Sequence, residues 1–222
     1  TADGAANATV FLLTDINVSE KVKIEKEVVI DLNGKTVTST ANKAFEVYAD
    51  ATITSTATNA NGEIINGTIN GANRCVDTRK EVELTLSNVT LVADNYTSTY
   101  GNPQPLTIGG SEHGTIVNMT NVNISAEDGY GIITFVKTEL TATNSTIGGY
   151  SALYVKPGSD NSTFNFVNST LSGSTASNDV EGNSFTTIAV RANHVTVNVN
   201  AESTVNATGN HCDALSFGSS FA

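Results

Sequence analysis

Three short runs, VDTR, LYVK and AVR, carry the side chains with most to offer a ligand: Asp77 with Arg79, Tyr154 with Lys156, and Arg191. In an extended chain successive side chains point to opposite sides, so each run sends these residues to one side and its apolar residues to the other. Lys156 and Arg191 suit an acidic sugar, and Tyr154 offers it an apolar ring face with a polar tip. Asp77 and Arg79 complete the expected ligand-binding set. Catalysis would need more. The outward positions of the corresponding strands read Asp77, Thr107, Thr134, Tyr154, Ala189, Ser216 in one column and Arg79, Gly109, Val136, Lys156, Arg191, Gly218 in the next. Only one carboxylate appears in those twelve places. Glycoside hydrolysis takes two carboxylates across the scissile bond, and calcium takes six to eight oxygens, several of them charged. No metal or cofactor is therefore expected, calcium being left open without residues to support it, and no catalytic residue is assigned. The remaining acids gather in loops, at Glu127 and Asp128, Asp160, Asp179 with Glu181, and Asp213.

The elements that must position these residues are written in the composition. The 222 residues hold 11 Lys and Arg against 22 Asp and Glu, a net charge of −11. Such a balance opposes a nucleic-acid partner, whose phosphates demand basic residues. No apolar run approaches the length that inserts into a membrane. Thr occurs 32 times and Asn 26 times. Thr fits a pleated strand, whereas Asn is depleted from strands and favours tight bends, where it tolerates left-handed backbone. The chain reads as short strands joined by Asn-marked turns.

Those turns recur. DLNGKTV, EIINGTI, LTLSNVTL, IVNMTNVNI, LTATNSTI and FNFVNSTL align on Asn33, Asn66, Asn88, Asn121, Asn144 and Asn168, with Glu202 in a seventh place. The interval is about 23 residues, with about ten more inserted in three of the turns. A further strand lies between the pairs, at residues 75–79, 106–109, 132–136, 152–156, 187–191 and 214–217. Its inward pairs by alternation are Leu106 and Ile108, Ile133 and Phe135, Leu153 and Val155, Ile188 and Val190, and Leu215 and Phe217. Three strands in so short a period leave no room for a helix and describe one coil of a β-solenoid. Two insertions, at residues 94–104 and 174–185, project from one side, bringing Tyr96, Tyr100, Tyr130 and Tyr150 into or beside the turns.

With its three strands per coil and its Asn column at one tight turn, the chain resembles the right-handed parallel β-helix of the pectin-lyase-like superfamily. The opening IDLNGKTVT is similar to the first coils of bacterial secreted and cell-surface β-helix proteins. The resemblance implies an all-β, single-stranded, right-handed β-helix of about eight coils, in which the six Asn stack as a hydrogen-bonded ladder. A single domain spans residues 1–222, with residues 1–30 as N-terminal coil and cap and a C-terminal end expected to be open or continued. The function it implies is a non-catalytic bacterial extracellular module, an adhesin or stalk contacting polysaccharide or a cell-surface glycan. A polysaccharide lyase or hydrolase of the same fold is the alternative, and a phage tailspike shaft a second.

Three lesser features need placing. Eleven Asn-x-Ser/Thr sequons follow from the composition itself. Cys75 and Cys212 begin strands five coils apart, about 24 Å along the axis, too far for a disulfide. His113, His194 and His211 give no metal-ligand spacing with them. Finally, the Thr-x-Thr runs at Thr36/Thr38, Thr52/Thr54 and Thr141/Thr143 suggest ice binding only if they stack in register, which the spacing does not predict.

Overall fold

A computed structural model describes residues 8–93, 101–110, 114–126, 129–174, 185–208 and 212–218. Tyr96, Tyr100, His113, Glu127, Asp128, Asp179, Glu181 and His211 lie outside the described residues. The described residues contain strands and turns and no helix. In chain order the strands are β1 (Ala8–Phe11), β2 (Ile16–Val18), β3 (Val22–Ile24), β4 (Val28–Asp31), β5 (Thr36–Ser39), β6 (Lys43–Val47), β7 (Ala51–Thr54) and β8 (Gly67–Gly71). There follow β9 (Arg74–Thr78), β10 (Glu83–Val92), β11 (Leu106–Ile108), β12 (Thr115–Ser125), β13 (Tyr130–Thr134), β14 (Thr138–Thr143) and β15 (Thr146–Gly149). The last are β16 (Ser151–Val155), β17 (Thr163–Val167), β18 (Thr170–Ser174), β19 (Phe185–Val190), β20 (Thr196–Val199), β21 (Thr204–Thr208) and β22 (Cys212–Phe217).

Their pairing is parallel throughout these strands and forms three stacks. The first runs β1-β4-β7-β10-β12-β14-β17-β20, and the second runs β2-β5-β8-β10-β12-β15-β18-β21. They merge into one 14-stranded sheet because β10 and β12 are long enough to serve in both. The third stack is a separate eight-stranded sheet, β3-β6-β9-β11-β13-β16-β19-β22. This is the strand arrangement of a β-helix. The two long insertions both join the second stack to the third, between β10 and β11 and between β18 and β19.

In-register stacking carries the core. Ala51, Leu84, Val117, Leu140 and Phe164 form one inward row; Ile53, Leu86, Met119, Ala142 and Phe166 form the next, all buried. Ala142 beneath Phe166 shows how small and large residues alternate to fill the interior. On the second stack Ile69, Leu91, Ile124, Ile147 and Leu171 do the same. Cys75 is also inside, its thiol donating to the carbonyls of Ile69 and Val92 at 3.2 Å each.

At the bend between first and second stacks, Asn33, Asn88, Asn121, Asn144 and Asn168 all have left-handed φ, between 48° and 56°. One such residue turns the chain while its neighbours stay extended, and Asn accepts this conformation at low cost. Asn121 Nδ2 donates to Asn88 Oδ1 at 2.9 Å, and Asn168 Nδ2 to Asn144 Oδ1 at 2.6 Å. Asn66 stands apart from this column. Residues 55–66 leave the bend, closed by an antiparallel bridge between Thr58 and Ile64, and Ser55 takes the ladder position. Gly34 N donates to Ser55 Oγ at 2.9 Å, and Asn88 Nδ2 donates to the Ser55 carbonyl at 3.0 Å. Asn66 returns only to touch Asn121 from the side, at 3.4 Å. In the last turn it is Asn200, not Glu202, that accepts from Asn168 N, while Glu202 caps Asn200.

A serine ladder unforeseen in the sequence runs beside the asparagines. Val122 N donates to Ser145 Oγ, Ser145 N to Ser169 Oγ, and Ser169 N to Ser203 Oγ, at 2.9–3.2 Å.

Two register expectations are corrected. In β13 the inward pair is Ile132 and Thr134, not Ile133 and Phe135, because Ile132 pairs with Leu106 and Leu153. Apolar residues at both parities hide the register, and the buried Thr134 hydroxyl is accommodated 2.7 Å from Thr138 Oγ1 and 2.9 Å from the Val136 carbonyl. Two of the three Thr-x-Thr runs do line up. Thr52/Thr54 and Thr141/Thr143 occupy the same two outward rows of the first stack, bridged by Thr85/Ser87 and Asn118/Thr120, while Thr36/Thr38 lie on the second.

Replacing Asn121 by Ala removes both the left-handed residue and its side-chain bonds, so we expect a loss of about 2 kcal/mol in urea unfolding. Asn66→Ala, outside the ladder, should cost under about 1 kcal/mol; equal losses would contradict the placement of Ser55 in the column.

Candidate functional site

The outward side of the eight-stranded sheet carries the five expected residues, in two groups. Its central outward row is Glu46, Asp77, Thr107, Ile133, Tyr154, Ala189 and Ser216, with Ile133 where Thr134 was expected. Asp77 and Arg79 belong to one end of this row and Tyr154, Lys156 and Arg191 to the other. β11 and β13 separate them, which is about 14 Å at ordinary strand spacing.

The first group is ionic. Glu46 on β6 lies in register with Asp77 on β9. Lys43 Nζ bridges them, 2.7 Å from Glu46 Oε1 and 2.6 Å from Asp77 Oδ2. Lys21 holds Glu46 Oε2 at 2.8 Å, and Tyr48 donates to the same oxygen at 3.3 Å. Arg74 reaches Asp77 Oδ2 at 3.0 Å and Arg79 at 3.7 Å. Arg74 and Lys43 sit three residues before their carboxylates because Ala44 with Phe45, and Cys75 with Val76, are consecutive buried residues that shift the alternation. Cys75 N and Val76 N accordingly share the Pro105 carbonyl. Four cations thus surround two carboxylates, a positive excess in an acidic chain. Glu46 and Asp77 are 2% and 0% exposed, whereas Arg79 and Lys21 reach 41% and 46%.

Because Glu46 Oε1 and Asp77 Oδ2 both touch Lys43 Nζ, at 2.7 and 2.6 Å, these two oxygens stand within about 5.3 Å of each other, near the separation used by retaining glycosidases. Glu46 is nevertheless unsuited to the acid's part. A general acid needs a raised pKa. Burial pushes the Glu46 carboxyl up, but hydrogen bonds from Lys21 and Lys43 and their charges outweigh it and hold the group at about 2. Asp77 is met by three cations on one oxygen, Oδ2, and is sealed from solvent. The cluster can lock β6 to β9 and show a cationic rim, with Glu46 held in it as the carboxylate.

The second group is aromatic and cationic. The Tyr130 and Tyr154 rings lie 5.1 Å apart at 33°, and Lys156 Nζ stands 5.2 Å from the Phe135 ring centre and 5.5 Å from that of Tyr154. These are cation–π distances. Burial raises the phenol pKa of both tyrosines, with the Tyr154 charge adding to the effect on Tyr130 and Arg191 opposing it at Tyr154. Tyr154 is only 9% exposed, so its ring supports the surface; Phe135, 38% exposed, with half-buried Tyr130 and Lys156 presents it. Arg191, also buried, donates to the carbonyls of Val190 and Ser216. Phe135 escaped the sequence reading through the same one-residue slip that misplaced Ile133.

A third feature lies elsewhere. Asp50, Glu81, Glu83 and Glu139, with Lys137, line a groove of about 430 Å³ around the exposed Ile116, at the N-terminal ends of β10, β12 and β14. Asp50 is partly engaged, accepting from Glu83 N at 2.8 Å. Among the described residues, no three His, Cys, Asp or Glu side chains converge as metal ligands would. Asp160 accepts from Asn193 in a turn, and Asp213 is exposed on β22.

Since Glu46 lies below its ordinary 4.5 in the folded chain, its contribution is complete above that pH and is lost as pH falls through about 2. Wild-type stability should fall across that window by on the order of 3 kcal/mol more than that of Glu46→Gln. Chemical denaturation at a series of pH values checks this, and parallel curves for the two proteins would refute it. No protein-family model, no curated protein and no solved structure matches this chain.

Proposed function

We propose that the chain is a non-catalytic extracellular module of a bacterial surface protein, a right-handed, three-sided β-helix of eight coils in the pectin-lyase-like manner, acting as adhesin or stalk. Its partner is a polysaccharide or cell-surface glycan, met by the outward side of the eight-stranded sheet where Tyr130, Phe135 and Lys156 cluster over Tyr154. The observation that carries this reading is the state of the Glu46–Asp77 pair. Two carboxylates at catalytic distance are bound up by four cations, and one of them is held at about 2. An aromatic and cationic surface beside a Glu46 carboxyl held far below the range of a general acid supports binding without turnover. The same carboxylate separation is what favours the second reading, a polysaccharide lyase or hydrolase.

A polysaccharide array scored both for retained protein and for released reducing or unsaturated ends separates the two. Retention without release is expected, weakened about tenfold by Phe135→Ala or Lys156→Ala, as loss of one ring or cation contact implies. Released product that disappears in Glu46→Gln would overturn the binding reading in favour of the enzyme.

A further inference from the structure

The first stack carries an array that neither reading uses. On β7, β10, β12 and β14 the outward residues are Thr52 and Thr54, Thr85 and Ser87, Asn118 and Thr120, and Thr141 and Thr143. Seven of these eight bear hydroxyls, and all eight stand in two unbroken rows with no bulge between the four strands. Val29 and Asp31 end the rows on β4, and Asn165 and Val167 end them on β17. Beneath them Ile53, Leu86, Met119 and Ala142 are fully or almost fully buried. Most of the outward side chains are half-buried, and Thr54 Oγ1 lies 2.7 Å from Ser87 Oγ. β-Branched side chains packed this way hold few rotamers. The rows are therefore a stiff, nearly uncharged grid of hydroxyl and methyl groups.

We propose that this face binds ice. Its pitch is about 4.8 Å from strand to strand and about 6.7 Å between the two rows. A tetrahedral lattice of O–H···O bonds about 2.75 Å long repeats at about 4.5 Å between second-neighbour oxygens and about 7.3 Å along its hexagonal axis. Over the three strand steps the mismatch accumulates to about 1 Å, and across the rows it is under 1 Å, both within reach of a side chain. The hydroxyls continue the lattice, and the methyls between them sit over its openings. The acidic row of Asp50, Glu83 and Glu139 borders the grid on one side, and the asparagine bend borders it on the other.

Ice-affinity partitioning of the labelled 222-residue chain tests the idea, with thermal hysteresis as a second readout. The chain should be taken into a slowly growing ice front at least tenfold above a non-binding protein. Thr85→Tyr lifts the grid off a flat surface yet keeps a residue that strands favour, so it should fold and lose that enrichment. Thr90→Tyr, on the second stack, should keep it. Exclusion of the wild-type chain from ice overturns the proposal, as does enrichment of Thr85→Tyr equal to wild type while circular dichroism shows both folded.

Discussion

Parallel pairing in strict register is the constraint from which the rest follows. Each strand lies directly on the one a turn earlier, so the position of a residue in its coil decides whether it enters the core or the surface, and a slip of one would invert both. The left-handed Asn at the bend protects that register. It turns the chain within one residue, so β10 and β12 run on from the first stack into the second, with only the Asn88 and Asn121 position dropping out of their pairing. Stacking also converts single side chains into rows, which is why both the buried carboxylates and the outward-facing hydroxyls act as sets.

The ionic cluster shows what stacking can do with charge. Glu46 and Asp77 would be costly alone in so buried a place. Adjacent coils bring them to one lysine, and the short displacement at Ala44–Phe45 and Cys75–Val76 turns Lys43 and Arg74 onto the same side. The result is a polar spine along one end of the sheet, continued at the other end by aromatic rings and Lys156. Structural cost and surface character are set by the same few residues.

Much of this architecture was legible because its causes are local. Alternation reveals strands, and Asn at a constant interval reveals bends. Legibility fails where two solutions satisfy the local pattern. Ile132 and Ile133 offer both parities, and only their partners on β11 and β16 choose between them. Ser55 and Asn66 flank an insertion, and nothing near them tells which one keeps the ladder. The strand at Lys43–Val47, rich in charge, does not read as a member of the third stack, so the sequence pattern leaves Asp77 without an acidic neighbour and gives no sign of Glu46 beside it. Ser145, Ser169 and Ser203 are invisible for a simpler reason: their role lies wholly in the coil on either side.

The paired asparagine and serine ladders have a mechanical consequence. Their bonds, like those of the strands, run from coil to coil along the axis. A force pulling the two ends of such a column apart loads all three stacks and both ladders together in tension, whereas a force that lifts one end of the chain sideways breaks them a few at a time. The molecule is consequently a stiff strut under axial load and a peelable ribbon under lateral load, and the direction from which it is anchored decides which of these it is.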